Sequence, residues 1–443
     1  MQKYQRVIIL AGLIVLVGVG IWAFLTYFEG EDPEIVLSKD IGAIGQRTVL
    51  DVTCTDRKSG IRSASVSIVQ DGKTTAVASV DIPARGKTRE TLSIDLRPAD
   101  LKLHDGAATV VITVTDYSLR KNTGSTTIET IIDTAPPWIS PASARHYINP
   151  GGTCVVAYTL SEAVVLTGVK VNDHFSPSYV DSTGSTSRYI SYFAIPIIEG
   201  ADKNPRIQIL AEDKAGNTAS FPVTYHLRSK SFRHDRMNIS QGFLEMKMPE
   251  FQQRYQALQG MTLLEAFSHI NTQMRKQDRE AIETICKDSR PDQLWEGTFL
   301  RMSNAATMAQ FGDKRTYYHN DKEISTSVHM GVDLASTQNA PIEASNGGIV
   351  AFAGYIGIYG NTVIIDHGRG IFSLYGHLSS IQTQKGQAVK KGEIIGRTGL
   401  TGMAGGDHLH FSMIVGGKFV NPVEWWDPHW IQDNVAKKLS PEG

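Results

Sequence analysis

Residues 399–415 read GLTGMAGGDHLHFSMIV, a glycine-rich segment followed by an apolar run as long as one β-strand. Successive side chains of a strand point to opposite faces, so the sequence predicts that His408 and His410 share one face. Glycine permits tight turns, and residues 331–417 contain 18 of the 40 glycines in the chain. We therefore expect this region to consist of short strands joined by tight turns.

Two motifs upstream add further side chains that could bind a metal ion. The motif HMGVD at residues 329–333 places His329 and Asp333 on either side of a bend that the glycine permits. Two imidazoles and one carboxylate are a common ligand set of catalytic zinc, which keeps its fourth position for water. The motif YGHL at residues 375–378 adds His377 at the end of a strand pattern. Together these motifs contain more histidines than a closed structural metal site needs.

The order of these motifs resembles that in the lysostaphin and LytM-like zinc endopeptidases of bacterial cell walls. The matching motifs are HxGxD at 329–333, GNxVxIxHG at 360–368, YGHL at 375–378, the stretch 386–396 with its VKKG, GxTG at 399–402 and HLHF at 408–411. The resemblance implies that His329, Asp333 and His410 bind Zn²⁺. It also implies that His377 and His408 line the catalytic water.

Three residues near these motifs need separate interpretation. His367 matches a recurrent histidine of the family that is not a ligand, so we expect it to have a structural role at a turn. Asp407 stands where the family usually has proline, and Ser412 stands where glutamate is frequent. These two departures concern the surroundings of the ligands and leave the predicted ligand set unchanged.

The predicted chemistry is metal-assisted hydrolysis of an amide bond. Zinc held by two neutral imidazoles and a carboxylate polarises a carbonyl group and lowers the pKa of its bound water towards ~7. The sequence has no His-Glu-x-x-His motif to supply a glutamate base, so His377 and His408 are the candidates for acid–base catalysis. One would carry the water proton to the leaving amine, and the other would hold the water or the oxyanion. The sequence does not assign these two roles.

The N-terminal sequence predicts a membrane anchor. Residues 7–28 carry no charge and would form a helix of about 33 Å, which is enough to span a bilayer. Lys3 and Arg6 precede this run and acidic residues follow it, so residues 1–6 are predicted to be cytoplasmic and the remainder periplasmic. The alternative is a cleaved signal peptide, but the run is long and ends in FLTYF without the small residues of a cleavage site. We therefore expect a single-pass protein of the inner membrane.

Two segments after the anchor have the alternating pattern of β-sandwiches. Leu50, Val52 and Cys54 alternate with polar residues, and strand patterns end at Asp116 and Asp213, which are 97 positions apart. This spacing is about that of one immunoglobulin-type sandwich. Residues 33–134 and 135–229 are thus predicted as two immunoglobulin-like sandwiches, resembling bacterial modules that act as spacers or bind envelope proteins.

The segment 230–300 has a helical pattern instead. Thr262 and Glu265 have the spacing of a capping box, and a second short helix is predicted over 279–286. We expect a packed connector; a regulatory plug or a partner-docking arm is the alternative. Residues 301–432 are predicted to form the antiparallel β peptidase domain and residues 433–443 a tail, so the fold class is mainly β.

Composition excludes several other classes of protein. The net charge of −1 disfavours a nucleic-acid-binding protein, and three scattered cysteines exclude a disulfide framework or a zinc finger. The predicted function is a membrane-anchored zinc metalloendopeptidase that hydrolyses amide bonds in the stem-peptide cross-links of peptidoglycan. One alternative is a non-enzymatic activator of a cell-wall amidase that shares this fold, although such proteins typically lack the metal ligands. A lipoyl-type carrier domain, suggested by VKKGE at 389–393, would explain none of the histidines.

Overall fold

The computed structural model of this chain describes residues 2–142, 145–181, 188–197 and 204–440, with backbone only for Gln2 and Lys3. These residues are mainly β-strand, as the sequence predicts. The chain divides into two compact units, the first of which comprises Met1–Pro137, Glu162–Val165 and Glu212–Ala219. The second unit comprises Trp138–Ser161, Leu166–Ala211 and Ser220–Gly443.

The apolar N-terminal segment forms a helix, α1 (Gln2–Tyr27). The most apolar 18 residues within Tyr4–Tyr27 have a mean hydropathy of 2.8, and they are not buried by the rest of the protein. The helix begins before residue 7 and ends one residue before Phe28. Its length and composition fit either a membrane anchor or a signal sequence.

Eight strands of the first unit form two sheets around one core. They are β1 (Glu34–Leu37), β2 (Ala43–Ile44), β3 (Thr48–Thr55), β4 (Ile61–Gln70), β5 (Lys73–Asp81), β6 (Arg89–Leu96), β7 (Gly106–Asp116) and β8 (Thr123–Ile132). The sheets have the strand orders β1-β3-β6 and β2-β8-β7-β4-β5. Val110, Ile112 and Val114 of β7 are buried with Leu50 and Val52 of β3, whereas the residues between them are more exposed. The period-two pattern of the sequence therefore marks the inner faces of a β-sandwich.

The next ten strands form two four-stranded sheets and a parallel pair. They are β9 (Ile139–Pro141), β10 (His146–Ile148), β11 (Thr153–Leu160), β12 (Val164–Val171), β13 (His174–Pro177), β14 (Tyr179–Asp181), β15 (Arg188–Ala194), β16 (Ile207–Asp213), β17 (Thr218–Pro222) and β18 (Tyr225–Leu227). The sheets are β14-β15-β11-β9 and β13-β12-β16-β17, and β10 pairs with β18. Tyr192 of β15 packs 6.4 Å, between ring centroids, from both Trp295 and Trp425. The β11–β15 sheet thus shares a hydrophobic core with the C-terminal region.

The helical segment contains α2 (Gln241–Arg254), α3 (Leu263–His269) and α4 (Arg275–Ile285). Thr262 and Glu265 form the predicted capping box at the start of α3. The second helix begins at Arg275 instead of the predicted residue 279, because a π-helical turn, Ile270–Met274, joins α3 to α4 without a break. A capping box marks the start of a helix but carries no information about such a junction.

The C-terminal region is an antiparallel β structure with an eight-stranded sheet at its centre. Its strands are β19 (His234–Asn238), β20 (Ala306–Ala309), β21 (Lys314–His319), β22 (Lys322–Val328), β23 (Val332–Ala335), β24 (Pro341–Glu343), β25 (Gly348–Ile356), β26 (Gly360–Asp366), β27 (Ile371–Gly376), β28 (Ser380–Ile381), β29 (Ala388–Val389), β30 (Ile394–Arg397), β31 (Leu409–Val415) and β32 (Lys418–Val420). The central sheet has the order β20-β23-β31-β27-β26-β25-β29, with β32 also paired to β31. Smaller sheets are β24-β30-β28 and β19-β21-β22.

The structure contains regular elements in two segments where none of that type was predicted, the segment 230–300 and the tail 433–443. Strand β19, from the predicted connector, pairs in parallel with β21. Beyond the last strand lie α5 (Pro422–Trp426), α6 (Pro428–Ile431), a π-helical turn (Gln432–Ala436) and α7 (Lys437–Leu439). The described part of the predicted tail is therefore mostly helical.

Candidate active site and metal centre

Neighbouring strands of the central sheet bring the predicted ligands together. Strands β23 and β31 are antiparallel neighbours, and Asp333 pairs directly with His410 in their register. His329 lies just before β23, and His377 follows Gly376, which pairs with His410 from the other side of β31. All four side chains line one cavity of about 600 Å³, together with His408.

His329, Asp333 and His410 converge through three potential ligand atoms. His329 Nε2 lies 3.0 Å from Asp333 Oδ1 and 3.1 Å from His410 Nδ1, and the latter two atoms are 2.9 Å apart. Ligands at ~2.0–2.1 Å from a tetrahedral zinc ion lie roughly 3.3 Å from one another. The triangle of these three atoms is therefore close to one face of a zinc tetrahedron.

Hydrogen bonds on the far side of each ring select the tautomer that a metal ion needs. His329 Nδ1–H donates to the Gln310 carbonyl at 2.9 Å, which leaves a lone pair on Nε2. Ser412 donates its hydroxyl proton to the Met330 carbonyl at 2.9 Å, so its oxygen accepts from His410 Nε2–H at 3.0 Å. His410 Nδ1 therefore also carries a lone pair. Two lone pairs and a carboxylate facing one another repel unless a cation lies between them, so this donor set fits a divalent metal.

The pKa shifts of His410 and Asp333 agree with this assignment. Burial lowers the pKa of His410 to about 4, so its imidazole is neutral at pH 7. Burial would raise the pKa of Asp333, but the neighbouring His329, His408 and His410 hold it well below its ordinary value. Arg315 of β21 donates to Asp333 Oδ2 at 3.3 Å. No motif in the sequence marked Arg315.

His377 and His408 lie side by side in the cavity but differ in their surroundings. His377 Nδ1–H donates to the Thr401 carbonyl at 2.9 Å, and His408 Nδ1–H donates to the Gly406 carbonyl at 2.7 Å. Burial lowers the pKa of His377, so its Nε2 carries a lone pair that can accept a proton. His408 Nε2 lies 3.6 Å from Asp333 Oδ1, and although burial opposes it, this carboxylate raises the pKa of His408. The two ring centroids lie 4.8 Å apart. His377 has a φ of +66°, which is uncommon for a residue other than glycine. Its geometry is held by its backbone N–H, which donates to the Tyr359 carbonyl at 2.7 Å.

The residues interpreted separately in the sequence lie around this centre. His367 is fully buried outside the cavity, with Nδ1 bonded to the Gly347 carbonyl and Nε2 to Ser373. Asp407 accepts a hydrogen bond from Thr398 Oγ1 at 2.5 Å. Ser412, noted only as a departure from the family pattern, is the residue that orients His410.

The helical segment forms another part of the cavity wall. Phe243 of α2 and Phe267 of α3 line it, together with Asn271 of the π-helical turn and Arg275 of α4. The segment thus helps to shape the space in front of the candidate metal centre, and its role as a packed connector or as a regulatory plug stays a prediction.

Comparison with known proteins identifies the C-terminal region. Residues 327–422 match the model of peptidase family M23. The chain is 44% identical over 96 residues to the DD-carboxypeptidase/endopeptidase Mpg of Neisseria gonorrhoeae, covering 22% of each chain. It is 40% identical over 110 residues to the peptidoglycan DD-endopeptidase ShyA of Vibrio cholerae, covering 25% of each chain. The matches therefore span a quarter or less of these relatives.

A solved structure adds a third comparison. The catalytic domain of the antimicrobial peptidase lysostaphin from Staphylococcus simulans is 26% identical, with a TM-score of 0.25. The alignment covers 30% of this chain and 98% of that domain. The five histidine and aspartate residues of the candidate site all lie within the matched residues 327–422. The chain carries a peptidase family M23 domain in its C-terminal region.

Proposed function

We propose that the chain is a zinc metalloendopeptidase that hydrolyses amide bonds in the stem-peptide cross-links of peptidoglycan. The observation that carries this proposal is the convergence of His329 Nε2, Asp333 Oδ1 and His410 Nδ1 within 3.1 Å in a cavity that also contains His377 and His408. Two relatives named above as endopeptidases support the reaction class. A non-enzymatic amidase activator would not need this complete set of ligands and acid–base residues.

The chain's own side chains would hold the metal and move the proton. The chemistry that zinc supplies at such a centre is polarisation of the scissile carbonyl and a water pKa lowered towards ~7. Arg315 keeps Asp333 oriented as a ligand. Of His377 and His408, one accepts the proton of the attacking water and delivers it to the amine nitrogen as the carbon–nitrogen bond breaks. The other, when protonated, donates a hydrogen bond to the developing oxyanion.

Digestion of purified cross-linked muropeptides tests the proposal. The full chain in detergent, loaded with zinc, should convert cross-linked dimers into monomers that carry one new amine and one new carboxylate. A chelator should stop the reaction, and added zinc should restore it. Dimers that remain intact with the zinc-loaded chain would contradict the proposal, as would cleavage confined to the bond between peptide and glycan.

The location of the enzyme is part of the same proposal. We propose that α1 remains uncleaved in the inner membrane, so that residues 1–6 are cytoplasmic and the chain after residue 28 faces the periplasm. Its support is the apolar stretch Tyr4–Tyr27, with Lys3 and Arg6 at its N-terminal end. The segments 33–134 and 135–229 would act as spacers or contact envelope proteins, and 301–432 would be the catalytic domain. Fractionation of the intact protein with inner membrane supports this location, and a new N-terminus near Glu29 contradicts it.

A further inference from the structure

One arginine of the cavity wall differs from the other two in its partners. Arg233 is paired with Asp235 and Asp313, and Arg315 donates to Asp333. In the part of the chain that the structure describes, Arg275 forms no ion pair. Its Nε and Nη2 atoms both donate to a neutral acceptor, Asn271 Oδ1, at 3.2 and 2.8 Å.

The local structure holds Arg275 in place without a direct ion pair, although its charge also acts on Asp278, one turn further along α4, and opposes the rise that burial causes in the pKa of that carboxyl group. Asn271 is only 2% exposed, and its Nδ2 donates to Ser325 of β22 at 2.6 Å, so the amide cannot rotate freely. Asn271 belongs to the π-helical turn that precedes α4. Such turns are rare in proteins overall, but those that do occur are often found at functional sites. Because its hydrogen-bond acceptor is neutral, the partly buried guanidinium group of Arg275 can still bind an external anion. Burying this charge without an anionic partner costs solvation free energy.

Arg275 also lies close to the candidate metal centre. It lines the same cavity as His329, Asp333 and His410. Tyr359 lines this cavity as well. The ring of Tyr359 in turn lies 5.2 Å from that of His410, between centroids. A group bound to Arg275 would therefore lie in the same cavity as a peptide at the metal centre.

We propose that Arg275 binds a carboxylate of the peptide substrate, so that the enzyme prefers anionic peptides with a free carboxylate near the scissile amide. This inference rests on the proposed function and specifies its substrate class. Planar guanidinium groups bind carboxylates through paired hydrogen bonds, which gives them more geometric specificity than a lysine would have. The helical segment would then contribute to substrate selection.

Two matched peptides test this inference. They share one cleavable cross-link and differ only in whether the carboxylate beside it is free or amidated. With the full chain in detergent, Arg275→Gln should lower kcat/KM for the free acid by roughly 10- to 100-fold, the range expected for a lost hydrogen bond to a charged group. The same variant should leave kcat/KM for the amide unchanged. Lys276→Gln, at the exposed neighbouring position, should affect neither peptide.

An equal loss on both peptides would overturn the inference, because it would show a general structural effect. No loss on either peptide would also overturn it. If the wild-type protein cleaves neither peptide, the proposed function fails. In that case the inference is tested separately, by measuring the equilibrium affinity of the chelator-treated chain for each of the two peptides. A preference for the free acid that disappears in Arg275→Gln supports it, and equal affinities for the two peptides contradict it.

Discussion

Asp333 and His410 are paired directly across two antiparallel strands, with Asp333 Oδ1 2.9 Å from His410 Nδ1. Side chains at directly opposed positions of a sheet point to the same face and lie close together. The backbone of β23 and β31 therefore fixes two of the three candidate ligands before any metal binds. Such preorganisation is what a catalytic metal site requires of its scaffold.

Replacing Ser412 by alanine should weaken metal binding without removing a ligand. The substitution deletes the oxygen that accepts the His410 Nε2–H, so the ring loses the bond that fixes its tautomer. Residues that orient metal-bound histidines typically contribute ~10- to 100-fold to affinity. Competitive zinc titration of Ser412→Ala should show a loss of this size. An unchanged zinc affinity would mean that Ser412 does not control His410.

Replacing Gly331 by alanine should displace a ligand by steric contact. A Cβ atom at this position would lie 2.6 Å from two ring atoms of His410 and from the carbonyl oxygen of Phe411. The imidazole would have to move, because the strand backbone cannot yield. Metal analysis of Gly331→Ala should show most of the zinc lost, whereas the control Gly242→Ala, with open space around the new Cβ, should retain it. Full zinc in both variants would contradict the geometry.

Removing either His377 or His408 should separate catalysis from metal binding. Neither residue belongs to the converging ligand set, and both line the cavity beside it with Nδ1 bonded to a backbone carbonyl. His377→Ala and His408→Ala should keep their zinc yet lose ~10²- to 10⁴-fold in turnover, the usual contribution of an acid–base residue. Rates on cross-linked muropeptides, measured beside zinc content, check this. Near-wild-type turnover in both variants would reject the assigned roles.

The carboxyl group of Asp278 on α4 should make stability depend on pH. It accepts a hydrogen bond from the backbone N–H of Ile358 at 2.8 Å, and burial raises its pKa from 3.8 to about 6. The folded protein disfavours the ionised form of this carboxyl group. Its ionisation therefore leaves the free energy of unfolding unchanged below pH 4 and lowers it progressively as the pH rises to 6. The shift corresponds to about 3 kcal/mol at neutral pH.

Asp278→Asn can keep the hydrogen bond to Ile358 without carrying a charge, so it isolates this effect. In metal-free protein the Tm of the variant should equal that of wild type near pH 4 and exceed it at pH 7. Thermal unfolding followed across this range measures the difference. A Tm difference that stays constant between pH 4 and pH 7 would show that Asp278 does not titrate as described.

The sequence predicted the candidate site better than its surroundings. His329, Asp333, His377, His408 and His410 occur in short motifs whose internal spacing survives folding, and the structure brings all five to one cavity. Their chemical roles stay predictions. The residues that support them could not be found this way, because partners such as Arg315 and Asp333 are 18 positions apart and belong to different strands. Local periodicity does not specify such contacts.

For the fold, too, the sequence predicted local elements but not the contacts between them. Alternating apolar residues predicted the strands, and a capping box predicted the start of α3. Periodicity marks a side chain as buried but does not specify its neighbours, so it did not predict that Tyr192 of β15 packs against Trp425. For the same reason, the position of the helical segment at the cavity could not be predicted from its own pattern.

Zinc content of the purified full-length protein, compared with single-ligand variants, tests the central claim most directly. The account predicts about one zinc ion per chain in the wild type, and loss of most of it in each of His329→Ala, Asp333→Ala and His410→Ala, since each removes one of three protein ligands. His104→Ala, at a surface histidine far from the motifs in sequence, should keep its zinc. Full zinc occupancy in all three ligand variants would contradict the proposed metal centre.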